Sequence, residues 1–540
     1  MRRRSASTLL GAALVLVALL GAACGDDDDT SATSAEASSE ARGASSAPGT
    51  AGDDEDGARD PEGVLRIAAS LNPAVLKFDP IQAASGVHQL LEAIYGSLLV
   101  KAEDGEYQPG LAERVEVIDP QTIEVELRDG LTFTDGTPVD AEALKFNLER
   151  FARSENRLGL RTTYAVDLRE VEVTGPLSAT VHLSAPTAGT FYDLFAGPEF
   201  SLVSPTAVQA GQDLNQEPVG AGPFVLESFE PDRKLVLRKN PDYWNADAVE
   251  LAGVEYVQVS IGPAVVNALQ TGAIDLAPLD FQLGRSVRPP IVVESFPHPS
   301  IYSVEVCKKD APLADRRVRQ ALAHAIDRES LGERMYGPGN TEPAWGLRRA
   351  GAPGYNAALE EVYAYDPDKA AQLLAEAGYA DGFSTSMVVT PGLSQVAGEL
   401  LQAQWGAIGV DLELRPTTNA TNDFYLEGRA PMFPIGYTRF GIDTYTVRFL
   451  PGAFANVCQY SHPELEEVVR DIMAVAADSP EAAEGWQRMS ALVAEDLPII
   501  PLVFHVDMVG YNSDRVGGLT WHLSEFGLRI PTFEGTYIKA

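Results

Sequence analysis

The stretch Pro218–Trp244, PVGAGPFVLESFEPDRKLVLRKNPDYW, decides how the rest of the chain is read. Pro218, Gly220, Gly222 and Pro223 make a turn-rich entry. Phe224-Val225-Leu226 and Leu235-Val236-Leu237 then read as two strands joined by the polar turn Glu230-Pro231-Asp232. The charged ends of this hairpin suggest the edge of a sheet. Asn240-Pro241-Asp242 stops the second strand, because proline has no amide hydrogen for the ladder, and Tyr243-Trp244 follows as a large aromatic anchor. Nothing in the stretch is a nucleophile, a metal cage or a phosphate loop.

The same stretch resembles the G-x-G-P-[FY]…L-x-R-N-P-x-Y-W signature of the family 5 extracellular solute-binding proteins, the peptide and nickel receptors of ABC importers. LRDGLTFTDGTPVDAEALKFNLERF at Leu127–Phe151 and PLADRRVRQALAHAIDRESL at Pro312–Leu331 resemble two further segments of that family. ALQTGAIDLA at Ala268–Ala277 and DLPIIPL at Asp496–Leu502 add weaker matches in the family's order. The resemblance implies an α/β, two-lobed, periplasmic-binding-protein-like (class II) fold with an extra small domain and a hinge between the lobes.

Outward from this centre, the chain begins with Arg2-Arg3-Arg4, an apolar run over 9–20 and Gly21-Ala22-Ala23-Cys24. A basic head, a short apolar run and small residues before a cut describe a lipoprotein export signal over 1–23, with Cys24 as the lipidated residue. Gly21 stands where a lipobox usually has Leu, so ordinary cleavage near Ala23 is the competing reading. Residues 24–63, rich in Asp, Ser, Ala, Thr and Gly, have too little apolar surface to offset ordering entropy and read as a disordered acidic tether. Losing the three arginines of the signal takes the formal charge from −36 to −39, which repels nucleic acid and anionic lipid.

The remaining residues, about 477, exceed what one core serves, so two or three lobes are expected. The boundaries expected are lobe I over 64–103, the small domain over 104–217, lobe I again over 218–299, lobe II over 300–504 and a return to lobe I over 505–540. More than one crossing between lobes makes a hinge that closes over a ligand. Cys307 and Cys458 are the two cysteines of the exported part, and an even pair in an oxidising compartment points to a disulfide.

Local signals fill in the elements. Asp129-Gly130 between Glu124–Leu127 and Leu131–Phe133 reads as a hairpin turn. Asp140 reads as the N-cap of a helix over Ala141–Phe151. Further helical patterns cover Val318–Met335, Pro367–Ala377, Ser394–Ile408, Pro463–Ala477 and Glu481–Glu495, with Asp366 and Ser479 as N-caps and Gly378 as a C-cap. Val254–Ile261, Pro263–Thr271 and Ile274–Leu276 alternate strand, helix and strand, as in an open α/β sheet. Ile499–Val503 and His505–Val509 read as two apolar strands.

By resemblance, the segment after the first strand runs into the ligand cleft, which places Ala84, Ser85 and Gly86 on its wall. His88 reads as a packing residue. GYTRFGIDTYTVRF at Gly436–Phe449 resembles a family loop whose first acid meets the ligand amino terminus in peptide receptors. Phe440 stands at that position here. An aromatic ring cannot neutralise an ammonium, so the standard amine-end mode is in doubt. Tyr437, Thr438, Arg439, Phe440 and Asp443 are the expected ligand contacts, Arg439 meeting a carboxylate or stacking on a ring. A solvated Arg439 and a core Phe440 is the plain alternative.

No catalytic residues, metal ligands or cofactor are expected. There is no G-x-S-x-G, H-E-x-x-H, Walker or G-x-G-x-x-G motif, and the seven histidines are scattered singly. The expected function is an extracytoplasmic receptor of an ABC importer, a monomer anchored by lipid to the outer face of the cell membrane or free in the periplasm. It would capture a peptide or peptide-like solute and pass it to the permease and its ATPase, with no nucleic-acid partner. Receptors of the same fold for an oligosaccharide or a metal chelate, a sensor protein and, remotely, a secreted hydrolase are the alternatives.

Overall fold

The computed structural model describes residues 58–71, 76–83, 88–103, 105–153, 168–197, 200–260, 262–309, 311–436, 441–453, 455–456, 458–524 and 529–540. Asp56–Ala540 form one compact unit. The expected signal, Cys24 and most of the expected tether lie outside the described residues.

An eleven-stranded mixed sheet runs through the unit. Its order is Val410–Pro416, Phe383–Val389, Met432–Gly436, Ile291–Val306, Ile499–Asn512, Leu276–Leu279, Val64–Ala69, Gly253–Gln258, Lys234–Lys239 and Phe224–Glu230, with Thr341–Pro343 also on the Ile499 strand. The hairpin of the opening stretch thus sits at one edge, Phe224 opposite Lys239 and Glu230 opposite Lys234. Leu235 and Leu237 alternate into the core, as a strand of period two requires. The glycines before the hairpin serve a close approach. The Gly222 N–H donates to the Ile94 carbonyl at 3.0 Å, and a Cβ on Gly222 would stand 2.7 Å from the Ile94 carbonyl carbon at the end of helix His88–Tyr95. Asn240 locks the exit, its Nδ2 donating to the Gly222 carbonyl at 2.9 Å.

Val64–Ala69 runs parallel to both Gly253–Gln258 and Leu276–Leu279, and helix Pro263–Gln270 makes the crossover between these two. At the other end of the sheet Phe383–Val389 and Val410–Pro416 are parallel, connected by helix Leu393–Gly406. Each end has its own core. Leu65, Phe224 and Tyr256 belong to one and Val304, Leu401 and Trp405 to the other. These are the two lobes.

Two long antiparallel strands join them. Ile291–Val306 pairs with Ile499–Asn512 from Ile291 opposite Asn512 to Pro297 opposite Val506, and again from Ile301 opposite Phe504 to Glu305 opposite Ile499. Between the two ladders His298, Pro299 and Ser300 face His505 alone. Pro297 and Pro299 have no amide hydrogen, so the ladder breaks there and the strand bulges. Ile499–Val503 and His505–Val509, expected as two strands, are one, because the facing strand and Thr341–Pro343 keep Phe504 paired on both sides.

Two other expectations are corrected. Val318–Met335 is not one helix but two, Arg316–His324 and Arg328–Tyr336. The Asp327 carboxylate accepts from the Ser330 N–H at 3.0 Å and starts the second helix. Arg328 turns inward and donates to the carbonyls of Pro501, Ala323 and Tyr363. Asp129-Gly130 is a turn, with Gly130 at φ 75, yet it joins no hairpin. Residues 132 and 138 bridge locally, while Thr122–Leu127 pairs with Ala112–Asp119 and Ser178–Leu183.

Those strands and Leu168–Val173 form a four-stranded antiparallel sheet. Helix Ala141–Ala152 buries Leu144, Leu148 and Phe151, and Asp140 caps it through the Ala143 N–H at 2.9 Å. Another four-stranded sheet, Arg529–Pro531, Trp521–Leu523, Leu99–Ala102 and Tyr107–Pro109, draws the C-terminal segment beside the N-terminal lobe. It supplies one wall of the cleft.

Candidate functional site

A cavity of about 390 Å³ lies where that small sheet, the bulge of the long strands and the segments around Arg348 and Trp486 meet. Lys101, Tyr107 and Arg529 come from the small sheet, Asp193 from helix Thr190–Phe195, and Pro297 and Pro299 from the bulge. Arg348, Arg349, Gly441, Ile442 and Trp486, all from the chain between the two long strands, close it. A larger hollow of about 830 Å³ lies on the second lobe alone, along Ser384–Ser386 and Arg415. Its acids and arginines pair with one another at the surface, as in Arg415–Glu413 at 2.7 Å and Arg429–Glu427 at 2.7 Å. The smaller cavity is the candidate site, because it lies against the bulge of the two long strands and gathers polar side chains from segments far apart in the chain.

Its charges are arranged in layers. The Lys101 ammonium donates to Asp193 Oδ1 at 2.8 Å and to the Tyr107 hydroxyl at 2.8 Å, and Tyr107 also donates to Asp193. Burial would raise the Asp193 carboxyl, but Lys101 and these hydrogen bonds hold it below its ordinary value. Burial pushes the Tyr107 hydroxyl well up, with Asp193 adding to the effect. The Arg348 guanidinium lies over the Trp486 ring, 3.7 Å from its centroid. Arg349 donates to the His298 carbonyl at 3.2 Å and pairs with Glu342 at 2.8 Å.

The bulge carries its own cluster. The Nε2 atoms of His298 and His505 flank the Asp507 carboxylate at 3.9 and 3.8 Å. Tyr336 stacks on the outer face of His505 at 4.7 Å between centroids. Burial pushes the Asp507 carboxyl up to about 7 and pushes the His505 imidazole down to about 3. His298, His505 and Asp507 are residue types that bind metals and stand close enough to share one. Their rings argue against a preformed cage: the imidazoles are 14° from parallel with centroids 4.5 Å apart, so their lone pairs run side by side. The Ser300 N–H donates to His298 Nδ1, which leaves Nε2 carrying the proton in the neutral ring. A metal would require a ring to turn.

Of the residues expected to touch the ligand, Ser85, Gly86, Tyr437, Thr438, Arg439 and Phe440 lie outside the described residues, as does the side chain of Asp443. The described C-terminal flank of their loop reaches the cavity. Gly436 ends a strand opposite Tyr302, and Gly441 and Ile442 line the wall. Cys307 and Cys458 are joined as a disulfide, Cα to Cα 5.3 Å. Sequence reasoning missed Lys101, Tyr107, Asp193, Arg348, Arg349, Trp486 and Arg529. Only Arg348-Arg349, a basic pair inside the turn-rich GLRRAGAPG, carried a local signal.

Comparison with known proteins identifies the scaffold. The family described as bacterial extracellular solute-binding proteins, family 5 Middle, matches residues 106–454. The glutathione-binding protein GsiB of Salmonella paratyphi A is 27% identical over 477 residues, 83% of this chain and 90% of that protein. The ABC transporter substrate-binding protein CtaP of Listeria monocytogenes superposes with a TM-score of 0.76 at 22% identity, over 90% of this chain and 100% of that one. DppA of Helicobacter pylori, a periplasmic binding protein solved in complex with the peptide STSA, gives 0.71 at 21% identity over 88% and 98%. Among the described residues no helix is long and apolar enough to cross a membrane. With the family match spanning well over half of its length, this chain belongs to the family 5 bacterial extracellular solute-binding proteins.

Proposed function

We propose that this protein is the solute receptor of an ABC importer and that it captures a peptide or peptide-like solute in the cavity between its lobes. The observation that carries this reading is the placement of one polar, aromatic-edged cavity against the two strands that connect the lobes. Similarity to a glutathione-binding protein and to a receptor solved with a tetrapeptide supports the solute class. The lobes meet near residues 299–300 and 504–505, and the bulge at His298–Ser300 takes up the backbone rotation as they close. A solute that binds the closed form more tightly drives closure and expels water. The closed form then docks on the permease.

Ser85, Gly86, Tyr437, Thr438, Arg439, Phe440 and Asp443 are assigned as further ligand contacts. Cys24 is assigned as the lipid anchor on the outer face of the cell membrane, with residues 24–63 as the tether. Binding is the whole task, and no bond is made or broken. Calorimetric titration of the full chain with glutathione and with unmodified tripeptides tests the proposal. Saturable binding at micromolar or lower Kd is expected, and turnover of the bound solute, abolished by one cleft substitution, would sink the receptor reading. Phe440→Asp tests the loop: it should tighten binding of peptides with a free amine, and unchanged affinity removes Phe440 from the amine-recognition position.

A further inference from the structure

We infer that Gly189 is a positioning residue for solute retention: because it has no side chain, the end of helix Pro463–Ala474 docks its backbone there and clasps the cavity shut. This rests on the receptor reading and names a contact that holds the receptor's closed form.

Gly189 and Asp193 line the cavity, and so do Ile472, Ala477 and Asp478. The two groups belong to different stretches of chain. Gly189 precedes the first long strand, whereas helix Pro463–Ala474 lies between the two long strands. The Gly189 N–H donates to the Met473 carbonyl at 2.9 Å. Met473 is among the last four residues of its helix, whose carbonyls the helix itself leaves without a partner. A Cβ on Gly189 would stand 1.7 Å from the Val475 carbonyl oxygen, 2.8 Å from the Val475 carbonyl carbon and 3.1 Å from the Met473 carbonyl oxygen. All three atoms are backbone, so no side chain can swing aside to make room.

Nothing in the local backbone asks for glycine. Gly189 sits at φ −64 and ψ −25, a helical conformation that any L residue adopts. It is the N-cap of helix Thr190–Phe195, a position where Ser, Asp and Asn are preferred for the hydrogen bond that their side chains make, and this cap makes none. What the missing side chain permits is the approach of Met473 and Val475.

Both halves of the contact are anchored. The Ala188 N–H donates to the Pro120 carbonyl at 3.1 Å, the Thr190 hydroxyl donates to the Thr187 carbonyl at 2.7 Å, and Lys101 pairs with Asp193 at 2.8 Å. On the other side Leu465, Val468, Val469, Ile472 and Met473 are buried, and Ile472 packs against Gly485 of helix Pro480–Asp496. Rotation at the break in the long strands has to part these two anchored backbones. The contact therefore favours the closed form and slows escape of a solute more than it slows entry.

The full chain and its variants Gly189→Ala and Gly189→Ser are compared with glutathione and trialanine as probes. Both variants should keep the far-ultraviolet circular dichroism of the wild type. Release of bound probe, followed by stopped-flow fluorescence of Trp486 on the cavity wall, should quicken about tenfold, while association stays within about twofold. Serine caps a helix at least as well as glycine, so a purely local role would leave Gly189→Ser at the wild-type rate. Wild-type release from either variant overturns the inference. Hydrogen exchange at single-residue resolution needs neither probe nor variant and covers the case in which a variant fails to fold. The Gly189 amide of the unaltered protein, whose acceptor lies across the contact, should exchange about a hundredfold more slowly than an open amide, and exchange at the open rate overturns the inference. If neither probe binds the unaltered protein, the peptide reading falls and the Gly189 amide alone decides the clasp. Probes that bind but leave wild type and variants equally fast defeat the clasp and leave the receptor reading standing.

Discussion

Asp507→Asn should change how stability depends on pH more than it changes stability itself. Burial pushes the Asp507 carboxyl up to about 7, with Arg529 pulling the other way. Burial, then His298 and Arg349, push the His505 imidazole down to about 3. Both shifts favour a neutral side chain. The folded protein therefore keeps a proton on Asp507 that the unfolded chain releases above about pH 3.9, and stability falls as pH rises from there to about 7. The unfolded chain also protonates His505 below about pH 6.5, which the folded protein resists down to about pH 3, so stability falls as pH drops through that window. Over about pH 4 to 6.5 the two slopes oppose each other, and the wild-type profile conceals both.

The variant leaves only the imidazole. Integrating proton uptake, Asp507 costs the wild type about 2 kcal/mol of stability between about pH 5.5 and pH 8, while His505 returns about 1.4 kcal/mol to both proteins. The stability of Asp507→Asn minus that of the wild type should thus move by about 2 kcal/mol in the variant's favour across that interval, every shared group cancelling. Guanidinium unfolding of both proteins at the two pH values, followed by tryptophan fluorescence, measures it. A difference constant to within about 0.5 kcal/mol would mean that Asp507 is ionised throughout. That result refutes the neutral cluster.

Replacing both Cys307 and Cys458 by Ser opens a loop with a sequence separation of 151; chain entropy predicts a loss of about 5 kcal/mol, which reductant should reproduce in the wild type and leave absent in the variant. Arg319→Met removes a buried guanidinium that donates to the Asp496 carbonyl at 2.6 Å, to its carboxylate at 2.8 Å and to the Leu313 carbonyl at 2.7 Å. A loss of about 3–5 kcal/mol in denaturant midpoints is expected, and less than about 1 kcal/mol would show that Lys308 and Tyr460 suffice for Asp496. Gly222→Ala places a methyl group against the backbone of Ala93, Ile94 and Gly96. It should lower stability by about 1–3 kcal/mol with little change in far-ultraviolet circular dichroism, and a neutral result would mean that the helix end yields freely.

Much of the fold was legible because it is written in short-range chemistry. Asp140, Asp366 and Ser479 cap helices as their positions after a turn predict, each accepting from an N–H three residues on. Gly378 takes the left-handed conformation, φ 90, that ends helix Pro367–Glu376. The edge hairpin follows from alternation between two turn signals. Where local signals competed, the reading erred. The apolar spacing of Val318–Met335 suits one helix as well as two, and the choice fell to Asp327 as a cap and to Arg328, whose carbonyl partners at Tyr363 and Pro501 are remote in sequence.

The candidate site was the least legible part for the same reason. Lys101, Asp193, Arg349 and Arg529 belong to four distant segments, and no spacing rule connects them. By itself the sequence carried the capped helices and the edge hairpin, because periodicity, turns and caps act within a few residues, while the class of fold came from its resemblance to the family 5 solute-binding proteins. Only the tertiary structure decided that Ile291–Val306 and Ile499–Asn512 run unbroken in chain but broken in pairing between two lobes. Burial and charge balance are properties of what surrounds a side chain, and the chain sets those surroundings only once it has folded.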